Sequence, residues 1–237
     1  MIKLVPSWAH HYDAFWDAIK RRNLWFIKLR YGAVLMLIAL EFSSRYLLQF
    51  KYTASQYNVF IFITLFILFY NAIFHLTRKH IKNIPGKFNP LHFSLLQMLL
   101  DLSVLMLLIY YTGGVESPLT MLFIFHIIIG SLILPGYVIY TLTFCVIGVY
   151  IFDVSAEYIG LISHHHIDGF LTFHLHNNFN FIVIHTSVFA FVLLMSVLLA
   201  NRIAKQLYQM EQELVEYLDK LDAAEKEKQK YIMGVVH

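Results

Sequence analysis

Six of the thirteen histidines fall between positions 164 and 185: His164-His165-His166, His174, His176 and His185. A seventh, His126, sits inside a long apolar run, and carboxylates recur nearby at Glu41, Asp153 and Glu157, with Glu116 and Asp168 in loops. Imidazole is the commonest metal ligand, and neutral nitrogen donors suit Zn, Cu, Ni or Fe. We therefore take His126, Glu157, His164, His166 and His185 as the candidate metal group, with a transition metal (Zn, Cu or Fe) as the ion. No spacing matches a His-Glu-x-x-His helix or a Cys/His finger. Two other readings stay open: pH sensing by protonation, and a solvated loop whose rings hydrogen-bond water. Haem between His126 and His185 is a further option without a motif behind it.

An ionisable side chain in lipid is costly and usually functional. His126 carries that cost, as a ligand, a relay or a hydrogen-bond partner of a neighbouring helix. Asp101 carries it too, in the middle of an apolar segment. It can pair with His126, hold a proton, or accept hydrogen bonds from Ser103 or Ser131. Glu41 and Arg45 stand four residues apart, the spacing of an intrahelical pair. The single cysteine, Cys145, lies in an apolar run, which excludes an intrachain disulfide and Cys-x-x-Cys chemistry.

These residues are carried by a chain that is 59% hydrophobic and 14% charged. Too few charges remain to cover a soluble core of this size, so the fold class is all-α and polytopic in a membrane. Six spans are expected, over about 25–48, 57–77, 92–111, 118–135, 137–160 and 179–201. Ahead of them, Trp8, Tyr12, Phe15, Trp16 and Ile19 recur at helical spacing before Lys20-Arg21-Arg22. That pattern predicts an amphipathic helix over 1–23 lying in the membrane interface, or docked on its own protein. Lys28 and Arg30 near the first span, Arg78, Lys79, Lys82 and Lys87 after the second, and Arg202 and Lys205 after the sixth share one side. The opposite loops hold only Lys51, so both termini are expected to be cytoplasmic. The uncharged Leu134-Pro135-Gly136 turn is the weakest point of this topology. No phosphate-cradling glycine loop, nucleophile elbow or basic-aromatic stripe is present, which argues against a nucleic-acid partner.

Beyond the sixth span the pattern changes to a strict four-three spacing: Ile203, Leu207, Met210, Leu214, Tyr217, Leu221, Ala224, Lys228, Tyr231, Val235. Such a seam predicts a parallel coiled coil over 203–230 and a homodimer. Glu216 with Lys220, and Asp222 with Lys226, supply outward ion pairs. The whole division is thus a helix at 1–23, a six-helix domain at 24–202, the coiled coil, and a last segment at 231–237.

Two stretches resemble known families. Gly113-Gly114-Val-Glu-Ser117-Pro118-Leu119 is explained locally by a glycine reversal followed by a Ser cap and a Pro at the first helical position. It also resembles the Gly-Gly-x-x-Asn-Pro-Phe loop of redox-responsive sensor kinases, with Ser117 and Leu119 in place of Asn and Phe; there the loop is associated with quinone. Asp101, Gly113, Gly114, Ser117 and Pro118 form the candidate ligand-binding group. The segment Tyr231-Ile-Met-Gly-Val-Val-His237 resembles the start of the dimerisation and phosphotransfer helix of bacterial sensor histidine kinases, and much of 100–237 is similar to their six-span sensor domains.

The resemblance implies a sensor module of a two-component system in a bacterial inner membrane, with His237 as phosphoacceptor. With Val235 on the seam, His237 falls off it, facing solvent. An ATP-binding domain and a response regulator belong to the intact kinase, so 1–237 is expected to be inactive alone. His237 can also be read as the start of a purification tag. The alternatives of other classes are a membrane redox, metal-binding or transport protein, and a receptor feeding a different output.

Overall fold

A computed structural model describes residues 4–5, 13–171 and 173–235; His237, Trp8 and Tyr12 lie outside them. The chain is an all-α polytopic membrane protein. Among the described residues, five helices are long and apolar enough to cross a membrane, and a shorter apolar helix stands between the third and fourth of them. In chain order the helices are α1 (Asp13–Tyr46), α2 (Ala54–Thr77), α3 (Pro90–Tyr111), α4 (Leu122–Ser131), α5 (Gly136–Tyr158) and α6 (Phe179–Val235).

Local chemistry starts most of them. Thr53 and Gln56 form a capping box at α2, with the Gln56 amide donating to Thr53 Oγ1 and the Thr53 amide to Gln56 Oε1. Asn89 accepts from the Leu91 and His92 amides and Pro90 takes the first position of α3. Ser117 accepts from Leu119 at the 3-10 turn Pro118–Met121, which leads into α4.

Three features differ from the sequence expectation. Residues 13–46 form one continuous helix, so no break separates an N-terminal helix from the first span. Phe15, Trp16 and Ile19 are buried in the bundle core with Leu91 and Leu134, which is the docked arrangement. The fourth span was expected over 118–135, but the helical path covers only Pro118–Ser131. At 1.5 Å per residue that is about 21 Å, short of the hydrocarbon thickness. Finally, Arg30 is not a surface cation: it is 5% exposed, inside the bundle.

Helix α3 divides the interior. Phe93, Val104 and Leu108 join Ile27, Val34, Ile63 and Phe74 in a core shared with α1 and α2. Met98, Leu102, Leu105 and Ile109 face the other way, into a core built with α4, α5 and α6. Gly130 permits close approach there, because a Cβ would meet Ile139 at 2.7 Å and Met98 at 2.8 Å.

Between the cores lies a polar knot. Arg30 donates to both oxygens of Asp101 at 2.7–2.9 Å, and to Asn71 and Gln97 at 3.2 and 2.8 Å. Tyr70 donates to Asp101 at 2.7 Å, and Asn71 reaches the Ile27 carbonyl. Asp101 therefore pairs with a cation 71 residues away on α1, and not with His126. Arg45 likewise lies over Tyr57, 4.9 Å from the ring centroid.

At the other end of α1, Arg22 donates to the Leu132 carbonyl at 2.7 Å and to Tyr208 at 3.1 Å, and pairs with Glu211 at 3.2 Å. A cation at the α4 C-terminus satisfies a carbonyl the helix leaves open. The uncharged turn after α4 thus receives its positive charge from α1.

Replacing Asp101 by Asn leaves the Arg30 guanidinium buried without a counter-charge. Unfolding in detergent micelles should show a loss of about 3–5 kcal/mol. The double substitution Arg30→Met, Asp101→Leu should recover most of that loss.

Candidate functional site

At the end of the bundle remote from the α6 extension, three loops meet. The backbone amide of Lys51 donates to the Asp168 carbonyl, and Phe50 packs edge-on against Phe170. This joins the α1–α2 loop to the α5–α6 loop. The third loop, 112–118, follows α3 and turns through Gly113 and Gly114, whose φ values are +110° and +54°. Positive φ favours glycine at both. The turn is tied back by a 2.6 Å contact between the Thr112 and Ser117 hydroxyls, and it carries Glu116 inward.

Glu116 is the centre of the site. Its side chain is buried, and one oxygen receives His166 Nδ1 at 2.9 Å and His164 Nε2 at 3.3 Å. The other oxygen accepts the amides of Leu175 at 2.7 Å and His176 at 3.3 Å. His164 also reaches Glu157 through Nδ1, at 3.2 Å. Its ring therefore spans two carboxylates, one from the 112–118 loop and one from the last turn of α5. His176 stacks on His164 with ring centroids 3.7 Å apart, and His174 meets His166 edge-on at 4.6 Å.

The histidine triplet lies in residues 163–167, outside any helix, and its rings go to different partners. His164 and His166 turn to Glu116, whereas His165 stacks on Tyr111 at 4.5 Å. Gln56, fully buried, holds the segment in place by donating to the carbonyls of Tyr111, His165 and His166, each at 3.2 Å. Gly114 is needed for space as well as φ: a Cβ there would lie 2.9 Å from the Glu157 carboxyl carbon.

Of the sequence-derived metal group, Glu157, His164 and His166 come together here. His126 does not join them; its Nδ1 donates to the Leu122 carbonyl of its own helix at 2.9 Å. His185 faces Tyr150 at 3.3 Å. Among the ligand-binding candidates, Gly113, Gly114 and Ser117 shape the loop that presents Glu116, while Asp101 is held by Arg30. Pro118 and Thr112 line a separate cleft of about 260 Å³ with mostly apolar walls, including Leu40, Phe60 and Ile167. Sequence reasoning named Glu116 only as a loop carboxylate and did not name Gln56. The Thr53-Ala-Ser-Gln56 spacing of a capping box is the signal that could have marked Gln56.

A family model described as a PilS-like transmembrane domain matches residues 13–214. The chain belongs to this family. PilS is a membrane sensor histidine kinase, so the six-span sensor-domain arrangement is that of the family. A search of curated proteins and of solved structures returned no match. In this PilS-like domain the loop cluster and the first turns of the α6 extension both lie within the matched residues.

The electrostatics of the cluster follow from its contacts. Burial alone would raise the Glu116 carboxyl, but the His166 hydrogen bond, the His164 charge and the two amides outweigh it and hold it below the usual carboxylate range. Burial would lower His164, but the hydrogen bonds and negative charges of Glu157 and Glu116 outweigh that and hold the ring above the usual imidazole value. Burial, helped by the charge of His164, pulls His176 down; burial also leads the downward shift of His165.

The signs set a pH window. A raised His164 stabilises the cap fully below the ordinary imidazole value and ceases to as pH rises through its own. The lowered Glu116 stabilises above the ordinary carboxylate value and ceases to as pH falls through its own. His165 and His176 withdraw stability only as pH falls below the imidazole value. From about pH 6.5 upward only His164 among these acts. In chelator-treated protein, hydrogen-exchange protection of the Leu175 and His176 amides should therefore decline as pH rises above about 6.5. His164→Asn should flatten that decline, which exchange mass spectrometry or NMR would show.

Proposed function

We propose that this chain is the membrane sensor module of a dimeric two-component histidine kinase, placed in a bacterial inner membrane with both termini in the cytoplasm. One observation carries the reading: α6 is a single helix of 57 residues that begins beside the loop cluster and continues past the bundle. At 1.5 Å per residue it is about 85 Å long, much longer than a bilayer core. Its only proline or glycine is Gly234, so nothing in the chain interrupts it before its end.

The free part of α6 supports a partner helix. Ile203, Leu207, Met210, Leu214, Tyr217 and Leu221 share one stripe and are 44–65% exposed. Aliphatic and aromatic side chains at four-three spacing bury themselves against an identical stripe in a coiled coil. The outer pairs Glu216–Lys220 and Asp222–Lys226 form at 2.7 and 3.0 Å. Lys228, at an a position, weakens the seam locally and keeps it able to switch.

In the intact kinase, ATP phosphorylates His237 and a response regulator receives the phosphoryl group. The sensor's part is to bias two packings of the bundle, which a ligand does only by binding them unequally. The bias reaches the seam through α6, and Arg22 is the contact where the bundle grips that helix.

Cysteine cross-linking tests this. In a Cys145→Ser background, Leu207→Cys, Leu214→Cys and Leu221→Cys should each give disulfide-linked dimers in native membranes. Gln212→Cys and Lys226→Cys, on the outer face, should give far less. Equal yields at seam and outer positions, or none at the seam, would overturn the dimeric sensor.

A further inference from the structure

The loop cluster holds more donor atoms than its own hydrogen bonds use. Glu116, His164 and His166 each offer one ligand atom, and the three lie within 4.8 Å of one another. Glu116 Oε2 is 2.9 Å from His166 Nδ1 and 3.3 Å from His164 Nε2. Ligands of a tetrahedral zinc ion, at about 2.0–2.1 Å from the metal, stand about 3.3 Å from each other. The donors are thus already spaced as a coordination edge.

Two further polar atoms belong to residues of the same cluster. Glu157 Oε1, on a fully enclosed side chain, and His176 Nδ1 are both buried without a hydrogen bond among the described residues. Buried polar atoms are nearly always paired, so Glu157 Oε1 signals a missing partner, and His176 Nδ1 has only a long contact. His176 Nδ1 is 3.6 Å from Glu116 Oε1 and its ring stacks on His164, which places it beside the three donors.

We propose that Glu116, His164 and His166, with His176 beside them, bind one divalent transition-metal ion across the two loops. Two or three imidazoles with a carboxylate suit Zn, Cu, Ni or Fe and disfavour the all-oxygen preference of Ca and Mg. The surrounding contacts are those a metal site needs. The Leu175 and His176 amides orient the Glu116 carboxylate, and Gln56 fixes the backbone that bears His166. The side chains of His166 and His176 remain 17% and 15% exposed, which leaves an entry path. His126 and His185, drawn in by the sequence pattern, have no place in this set.

The site stands independently of the kinase reading, and as the stimulus of the sensor it deepens that reading. The test is calorimetric titration of Zn²⁺ into the full chain, purified in detergent micelles and stripped with a chelator. The expected result is one Zn²⁺ per chain. Glu116→Gln and His166→Asn should weaken binding by at least about tenfold, as loss of a metal-site contact does. His126→Ala and His185→Ala should bind as the parent does, and Ca²⁺ should not bind.

Absence of a saturable one-to-one event in the parent overturns the site. So does a His166→Asn protein that binds Zn²⁺ undiminished; its partly exposed ring makes it the variant best placed to fold, which circular dichroism checks. Zn²⁺ should also raise exchange protection at Leu175 and His176, and unchanged protection counts against the assignment. Seam cross-links without Zn²⁺ binding remove the metal and leave the sensor. Zn²⁺ binding without seam cross-links does the reverse.

Discussion

The Arg30–Asp101 pair is the constraint on which the rest of the bundle depends. Two opposite charges stripped of water are tolerated only when geometry is good and their remaining hydrogen-bonding capacity is used. Here Asp101 takes three contacts from Arg30 and one from Tyr70, and the guanidinium is completed by Asn71 and Gln97. The ring faces of Phe26, Tyr70 and Phe74 surround it at 5.1–5.8 Å. Apolar side chains alone would let α1, α2 and α3 slide past one another at little cost. A bidentate pair with three hydrogen-bonding satellites, Tyr70, Asn71 and Gln97, fixes one register. Because α3 lies between the two cores, that register also sets where its end, Thr112, delivers Gly113, Gly114 and Glu116.

What the sequence made legible was periodic and local. Apolar length marked the membrane segments, the four-three spacing marked the exposed stripe on α6, and Ser117-Pro118 marked the start of a helix. The rest depended on partners distant in sequence. Nothing near Asp101 indicates Arg30, and Arg30 reads as a topology signal because it stands two residues after Lys28. The short α4 was lengthened in the reading because Leu132-Ile133-Leu134 continues the apolar run. Those three residues form the turn whose first carbonyl Arg22 takes up.

The site shows the same limit more sharply. Histidine density pointed to the loop that carries the cluster, but a count of rings carries no direction. His164 and His166 converge on Glu116 while His165, between them, stacks on Tyr111. Glu116 became central only through a turn with two positive-φ glycines. His126 and His185 shared depth and chemistry with the cluster by sequence, yet one bonds its own helix and the other a tyrosine. Composition selects ligand types; convergence is set by backbone that only the fold reveals.

The two ends of α6 give the proposed sensor its mechanics. Leu175 and His176, whose amides hold Glu116, lie in the 3-10 turn immediately before Phe179 starts the helix. About 29 residues later, or about 44 Å along the axis, Tyr208 meets Arg22. Between them Phe189, Leu193 and Val197 are buried against the bundle. A helix without a break cannot absorb a change at its first turn by bending sharply, since kinks need proline, glycine or an inserted group. In the proposed sensor, a cap that pulls Leu175 and His176 towards Glu116 would tilt or turn the rod. Arg22 would then act as the fulcrum, because it ties α6 to the α4 terminus through one guanidinium. The exposed stripe beyond it is where a partner chain would read the turn.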